Sequence, residues 1–303
     1  MRRTILVPLI ALALAVPGCG ERQADDGRPL VVTTTGMIGW LAGEIAGDNA
    51  RVVSLMGPGV DPHLYKASGG DVRRFDEADL ILYNGLHLEG KMVGILEKMS
   101  RRRPVVALAD SLPADLLLAL PGEAVYDPHI WFDVSLWART VPVVERALAA
   151  VDPTGAGAYR EAAARVTDEL VSLDGWVAAR IAAIPERQRV LVTAHDAFGY
   201  FGERYGLAVE GLQGVSTVTE AGLQDMDRLV DLIAGRGIKA IFVESSVPRR
   251  AIESVQAACA DRGHAVAIGG ELFSDAMGAA GTPEGAYPGM VRHNVNTIVE
   301  ALR

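Results

Sequence analysis

His63, His87, His129, His195, His264 and His293 are the six histidines of this 303-residue chain, and three of them stand in settings suited to metal ligation. His63, His129 and His195 each follow an apolar run and sit among polar or turn-forming residues, in Asp61-Pro62-His63-Leu64-Tyr65, Asp127-Pro128-His129-Ile130-Trp131 and Thr193-Ala194-His195-Asp196-Ala197. The Asp-Pro-His tripeptide occurs twice. Proline limits backbone freedom ahead of the histidine, and a nearby carboxylate orients an imidazole by accepting its distal N–H. Asp196 supplies a carboxylate beside His195, just beyond an expected strand, where ligands of open α/β sheets usually sit. No short spacing such as His-x3-His joins these residues, so spacing alone favours the plainer account of scattered structural histidines. His87 also follows an apolar run and could approach the same crevice, although a surface position or a contact to a ligand is commoner than ligation. His264 and His293 fall at a helix end and within a helical pattern, and read as structural.

The elements that must position these residues alternate. Short β-branched runs and longer helical patterns follow one another, the signature of a parallel sheet wrapped by helices. Strands are expected at 30–35, 51–56, 80–84 and 105–107, with helices at 38–46, 67–78 and 91–99 between them. A second series has strands at 190–194, 208–212, 240–243 and 265–268 and helices at 198–205, 223–235, 249–261 and 288–302. Between the two series, 153–184 is rich in Ala, Glu and Arg, with Tyr159, Ala163, Val166, Leu170, Leu173, Val177 and Ile181 at helical spacing. Asp152-Pro153 starts this segment and Pro185 stops it. Thirty helical residues would span about 45 Å, enough to run the length of both halves as a stiff backbone. The expected fold class is therefore α/β, two similar lobes with parallel sheets joined by one long helix: 30–152, 153–185 and 186–303.

The N-terminus reads as an export signal over 1–18, with Arg2 and Arg3 ahead of the apolar stretch 5–16. Val16-Pro17-Gly18-Cys19 is similar to a lipoprotein cleavage site, in which Cys19 becomes the lipidated terminus and 19–29 a polar tether to the membrane. The apolar stretch is too short to span a bilayer. The other cysteine, Cys259, then has no disulfide partner and is expected as a buried free thiol. A net charge of -9 and the absence of a long basic run after the leader argue against a nucleic-acid partner. Gly57-Pro58-Gly59 is a turn, not a phosphate loop, because no Lys-Ser/Thr follows.

Several ordered motifs together carry a resemblance. They are 60–65 with Asp71, 127–131 with Asp133, 193–201, Gln213-Gly214-Val215-Ser216-Thr217, Val243-Glu244-Ser245-Ser246 and 272–278. Across essentially the whole mature chain the sequence resembles the substrate-binding lipoproteins of zinc and manganese ABC importers, the cluster A-I or cluster 9 proteins. The resemblance implies that His63, His129, His195 and Asp275 are the metal ligands, two from each lobe, with the metal in the cleft and an importer permease as partner. Asp275 is singled out only in this way. By analogy Glu244 faces the same crevice as a contact to a ligand.

Three imidazoles and one carboxylate suit Zn2+, whereas a bidentate Asp275 would raise the coordination number and admit Mn2+. Family members strict for manganese often have Glu at the third position, which here is His195. Zinc-specific members often carry a His- and acid-rich loop before the second ligand, and 111–126 contains no histidine. The expectation is an exported, lipid-anchored, monomeric metal carrier, zinc ahead of manganese, rather than an enzyme. The alternatives are a zinc metalloenzyme with an open coordination position, disfavoured by a fourth protein ligand, and an adhesin-like surface lipoprotein.

Overall fold

Parallel strands form where the chain runs through Val, Ile and Leu, and the connections between them carry the helices. The structure, a computed structural model, describes residues 27–120 and 125–303. The expected signal peptide, Cys19 and most of the tether lie outside the described residues. In the first lobe β1 (Leu30–Thr33), α1 (Gly36–Ala46), β2 (Arg51–Ser54), α2 (Gly69–Glu77), β3 (Leu80–Tyr83), α3 (Val93–Ser100) and β4 (Val105–Ala107) follow in order. The strands make one parallel sheet in the order β2-β1-β3-β4, with Val32 opposite both Val53 and Ile81. Strands expected at 30–35 and 51–56 are each shorter, because past Thr33 and Ser54 the chain turns towards the cleft.

Two helices not anticipated from the sequence come next, α4 (Val134–Ala138) and α5 (Val141–Val151). Asp133 caps α4 by accepting from Ser135 N at 2.9 Å and Leu136 N at 3.0 Å. In α5 Pro142 occupies the first turn, where a missing N–H costs nothing. The joining helix α6 (Ala156–Ile181) follows a 3-10 turn over Pro153–Gly155, so the long helix starts three residues later and ends earlier than 153–184. Its 26 residues still span about 39 Å.

The second lobe comprises β5 (Val190–His195), α7 (Gly199–Tyr205), β6 (Ala208–Gln213), α8 (Leu223–Arg236), β7 (Ala240–Glu244), α9 (Arg250–Asp261), β8 (Ala267–Leu272) and α10 (Tyr287–Leu302). Its strands form two parallel pairs, β5-β6 and β7-β8, with β5 lying against β7. Every residue of β5 and β7 is buried, as expected of parallel strands covered on both faces. The last strand begins at Ala267 rather than 265 and runs to Leu272, which carries its C-terminal end towards Asp275.

One face of α6 makes the two lobes a single body. Tyr159, Val166, Leu170, Leu173, Val177 and Ile181, as expected from their spacing, are buried along it. The helix packs on α1, α4 and α5 from the first lobe and α7 and α10 from the second. Trp131, Trp137, Phe198 and Tyr287 join the same continuous apolar core. Each fully buried side chain of this size contributes about 1.5–3 kcal/mol of transfer free energy. A shared core of that kind resists a wide swing of one lobe against the other. Cys259 is buried and free, as expected. No helix among the described residues is long and apolar enough to cross a membrane.

Candidate metal site

The C-terminal ends of the strands point into the space between the lobes, and four ligand atoms meet there. His63 arrives on the β2-α2 connection, His129 on the segment before α4, His195 as the last residue of β5 and Asp275 just past β8. They come within 4.8 Å of one another and all four residues are buried. His63 Nε2 lies 3.3 Å from His129 Nε2 and 3.8 Å from Asp275 Oδ2. His129 Nε2 is 3.3 Å from Asp275 Oδ1, and His195 Nε2 is 3.3 Å from Asp275 Oδ2. A four-coordinate ion with bonds of about 2.0–2.2 Å has ligand-to-ligand edges of about 3.3–3.6 Å. Three of these four separations match such an edge and His63 to Asp275 is longer, so the cluster is compact enough to surround one small cation.

Orphaned atoms point to the same conclusion. His195 Nε2 and both oxygens of Asp275 are buried without a hydrogen-bond partner. Such groups are costly unless something charged stands between them. Both Asp275 oxygens face imidazoles, so the carboxylate is placed to offer one atom or two.

Two of the three imidazoles are held from behind. Asp127 Oδ1 accepts from His129 N at 2.9 Å and pairs with its Nδ1 at 2.7 Å. Glu244 Oε1 accepts from His195 N at 2.9 Å, and Oε2 pairs with its Nδ1 at 2.6 Å. A proton fixed on Nδ1 in this way leaves Nε2 as the lone-pair donor in the neutral ring. Asp196 does not orient His195, contrary to the expectation from adjacency. The residue after a strand end points to the opposite side, whereas Glu244 ends the neighbouring β7 beside it. Nor does Asp61 touch the His63 ring. Its Oδ1 accepts from His63 N at 2.8 Å, and its Oδ2 accepts across the cleft from Thr217 Oγ1 at 2.6 Å.

The loops are fixed in turn. Asn84 Nδ2 donates to Pro128 O at 2.9 Å, and the buried Glu89 carboxylate accepts from Thr34 Oγ1 at 2.7 Å and Asn84 N at 2.8 Å. This carboxylate anchors a turn in which Leu86 and His87 both have positive φ, at 51° and 64°, a conformation that ordinary residues adopt only under constraint. Tyr200 Oη donates to Asp127 O at 3.0 Å, and Gly199 lets α7 come so near that a Cβ there would lie 2.7 Å from Asp127 Oδ2. Trp131 Nε1 donates to Ser274 O at 3.1 Å, and Tyr287 Oη donates to Trp131 O at 2.6 Å, so the segments bearing His129 and Asp275 are tied to each other. Glu89 and Asn84 escape sequence reasoning because a buried carboxylate one turn past a strand has no local signal.

Burial drives the His63 imidazole down to about 4, only partly opposed by Asp275, so it is neutral at neutral pH. Burial opposes charge on His129 as well, yet Asp127 and Asp275 outweigh it and hold the ring up at about 9. His195 is raised well above its ordinary value against burial by Glu244 and Asp275. Against the same burial, His195 and His129 hold Asp275 well below the usual carboxylate range. Without a cation, the site is therefore held together by protonated imidazoles and carboxylates.

Of the remaining histidines, His264 Nε2 meets Ile238 O at 2.8 Å and His293 Nε2 meets Glu271 O at 3.0 Å, structural contacts as expected. His87 does not join the cluster but lines a cavity beside His63.

Comparison with known proteins agrees with this geometry. The family of the zinc-uptake complex component A, periplasmic, matches residues 31–301. The chain is 46% identical over 306 residues to the manganese-binding lipoprotein MntA of Bacillus subtilis, covering 100% of both. It is 51% identical over 279 residues to the zinc-binding protein TroA of Treponema pallidum, covering 92% of this chain and 90% of that protein. The solved structure of the periplasmic zinc-binding protein TroA from Treponema pallidum superposes with a TM-score of 0.90, over 91% of this chain and 99% of that one. With a family match over nearly all its described length and relatives this similar from end to end, the chain belongs to the zinc-uptake component A family of metal-binding proteins that serve ABC import systems.

Proposed function

We propose that this protein captures Zn2+ in preference to Mn2+ through His63, His129, His195 and Asp275 and hands it to an importer permease while anchored by lipid on Cys19. Membership of the family makes it an extracytoplasmic metal-binding component of an ABC import system, and its relatives are binding proteins rather than enzymes. The carrying observation is the set of buried imidazole and carboxylate atoms within 4.8 Å of one another, three of which lack any hydrogen-bond partner. Three neutral imidazoles and short edges favour zinc, and the Irving-Williams order strengthens that preference. Both Asp275 oxygens face the cluster, which leaves room for the higher coordination of manganese. The relatives named for zinc and for manganese are about equally similar to this chain, so the ranking rests on ligand chemistry. A complete shell of four protein ligands leaves no position for an activated water, which separates this reading from a zinc hydrolase.

The division into a leader, 1–18, a tether, 19–29, two lobes, 30–152 and 186–303, and a joining segment, 153–185, belongs to the same proposal. The deciding experiment is metal analysis of the protein as isolated from its own cells, followed by competition of Zn2+ against bound Mn2+. Zinc is expected to displace manganese at equal concentration. Manganese retained against excess zinc would reverse the ranking, and a His195→Ala variant with unchanged affinity for both would remove the ligand assignment.

A further inference from the structure

Resting on the metal-carrier reading, we propose that a cavity of about 700 Å³ between the lobes is the route by which the cation reaches the buried site, with His63 as its inner gate. Of the four ligand residues only His63 lines this cavity. The same imidazole is the one ring among the three with no carboxylate paired to its Nδ1, so it lacks the support that Asp127 and Glu244 give the others. A cation in the cavity has one side chain to pass before it meets Asp275.

The walls carry the charge such a route requires. Among the described residues Asp196, Glu210, Glu220 and Asp225 line it, against one arginine, Arg228, whose Nη1 lies 3.0 Å from Glu210 Oε2; that pair cancels and leaves Asp196, Glu220 and Asp225 as the net negative charge. A concave surface of one sign focuses the field and raises the local concentration of the opposite ion, by about 10- to 1000-fold in association rate where the effect is full. None of these four carboxylates belongs to the cluster of ligands, so they act on the rate of arrival and not on the bound ion. The floor of the cavity is formed in part by the β6-α8 loop. There Gly214 lines the cavity, is absent from the positive-φ positions, and a Cβ added to it would meet nothing within 4 Å, so a side chain can be started there without a backbone clash.

The test uses the full chain and stopped-flow fluorescence with Zn2+ alone, read by Trp131, whose ring lies 5.2 Å from that of His129. In Gly214→Phe, a plug in the passage is expected to slow association and dissociation alike, by about tenfold or more, with Kd unchanged within about twofold, because an obstruction raises the barrier without altering either end state. Glu220→Lys, at an exposed position outside the ligand cluster, is expected to lower kon several-fold, to flatten its dependence on salt and to leave koff alone. Wild-type rates in the plugged variant, or a loss of affinity carried by koff alone, overturn the route. If Gly214→Phe does not fold, an unchanged kon in Glu220→Lys overturns it instead. Failure of the wild-type chain to bind Zn2+ or Mn2+ at all would remove the carrier reading, whereas tight binding at rates blind to both substitutions removes only the route.

Discussion

Asp61-Pro62-His63 and Asp127-Pro128-His129 are the same three residues in two places, and the fold puts them to different uses. In the second, the aspartate turns back on its own histidine, accepting from the backbone N and pairing with Nδ1 at 2.7 Å, so the ring is fixed and its proton is held up to about pH 9. In the first, the aspartate accepts from the His63 backbone and reaches across the cleft to Thr217, leaving the ring neutral and without a carboxylate behind it. Burial pushes the Asp61 carboxyl up, with the Thr217 hydrogen bond opposing it. One tripeptide makes a ligand fixed by its own carboxylate; its twin makes a contact between lobes with a ligand that no carboxylate fixes. A motif therefore states which groups are present, while the groups it faces decide their role.

The largest test of this contrast removes the fixed ring. His129→Ala should weaken Zn2+ binding by well over 100-fold in a competition titration, beyond the ~10- to 100-fold typical of losing a partner behind a ligand. Asp127→Asn should fall within that ~10- to 100-fold range, while Asp61→Asn costs clearly less. Equal losses in the two would break the distinction between the tripeptides.

Proton competition comes next in size. The cation needs Nε2 free, and His129 keeps its proton until about pH 9, so affinity should climb by at least about tenfold per pH unit from 7 towards 9 and then level. A flat profile in isothermal titration would contradict the assignment. In the cation-free protein the sign reverses. A histidine raised from 6.5 to about 9 contributes stability that is complete below 6.5 and lost as pH rises to about 9. The Tm of the cation-free form should therefore fall across that interval, and the gap to the metal-loaded form should widen. The smallest effect is expected for Thr217→Val. Losing one hydrogen bond of about 1 kcal/mol should weaken binding about fivefold while leaving the pH profile as it was, because His129 is untouched.

Most of the elements were legible in the chain. The buried face of α6 follows the apolar spacing from Tyr159 to Ile181, and β4 lies at the expected residues, because one fully buried stripe or strand leaves a periodic record in its own sequence. The pair α4 and α5 was not legible. Val141, Val143 and Val144 are poor local helix formers, and their burial as α5 packs on α6 and α1 makes them one. Similarly, His195-Asp196 suggested an adjacent orienting carboxylate, but β5 ends on His195 and sends the next side chain away.

What the sequence by itself determined about this protein is its list of chemical groups and their order: three histidines after apolar runs, two alternating α/β series and a helix long enough to join them. Its resemblance to a family then added Asp275. Tertiary structure alone decided which atoms meet, that Glu244 rather than Asp196 stands behind His195, that Asp61 binds Thr217 and that Glu89 anchors the turn beside His129. The physical reason is that periodicity records a residue's own burial, a one-body property, whereas orientation, proton affinity and ligation depend on distances between residues as far apart as 63 and 275. Those distances exist only once the chain has folded.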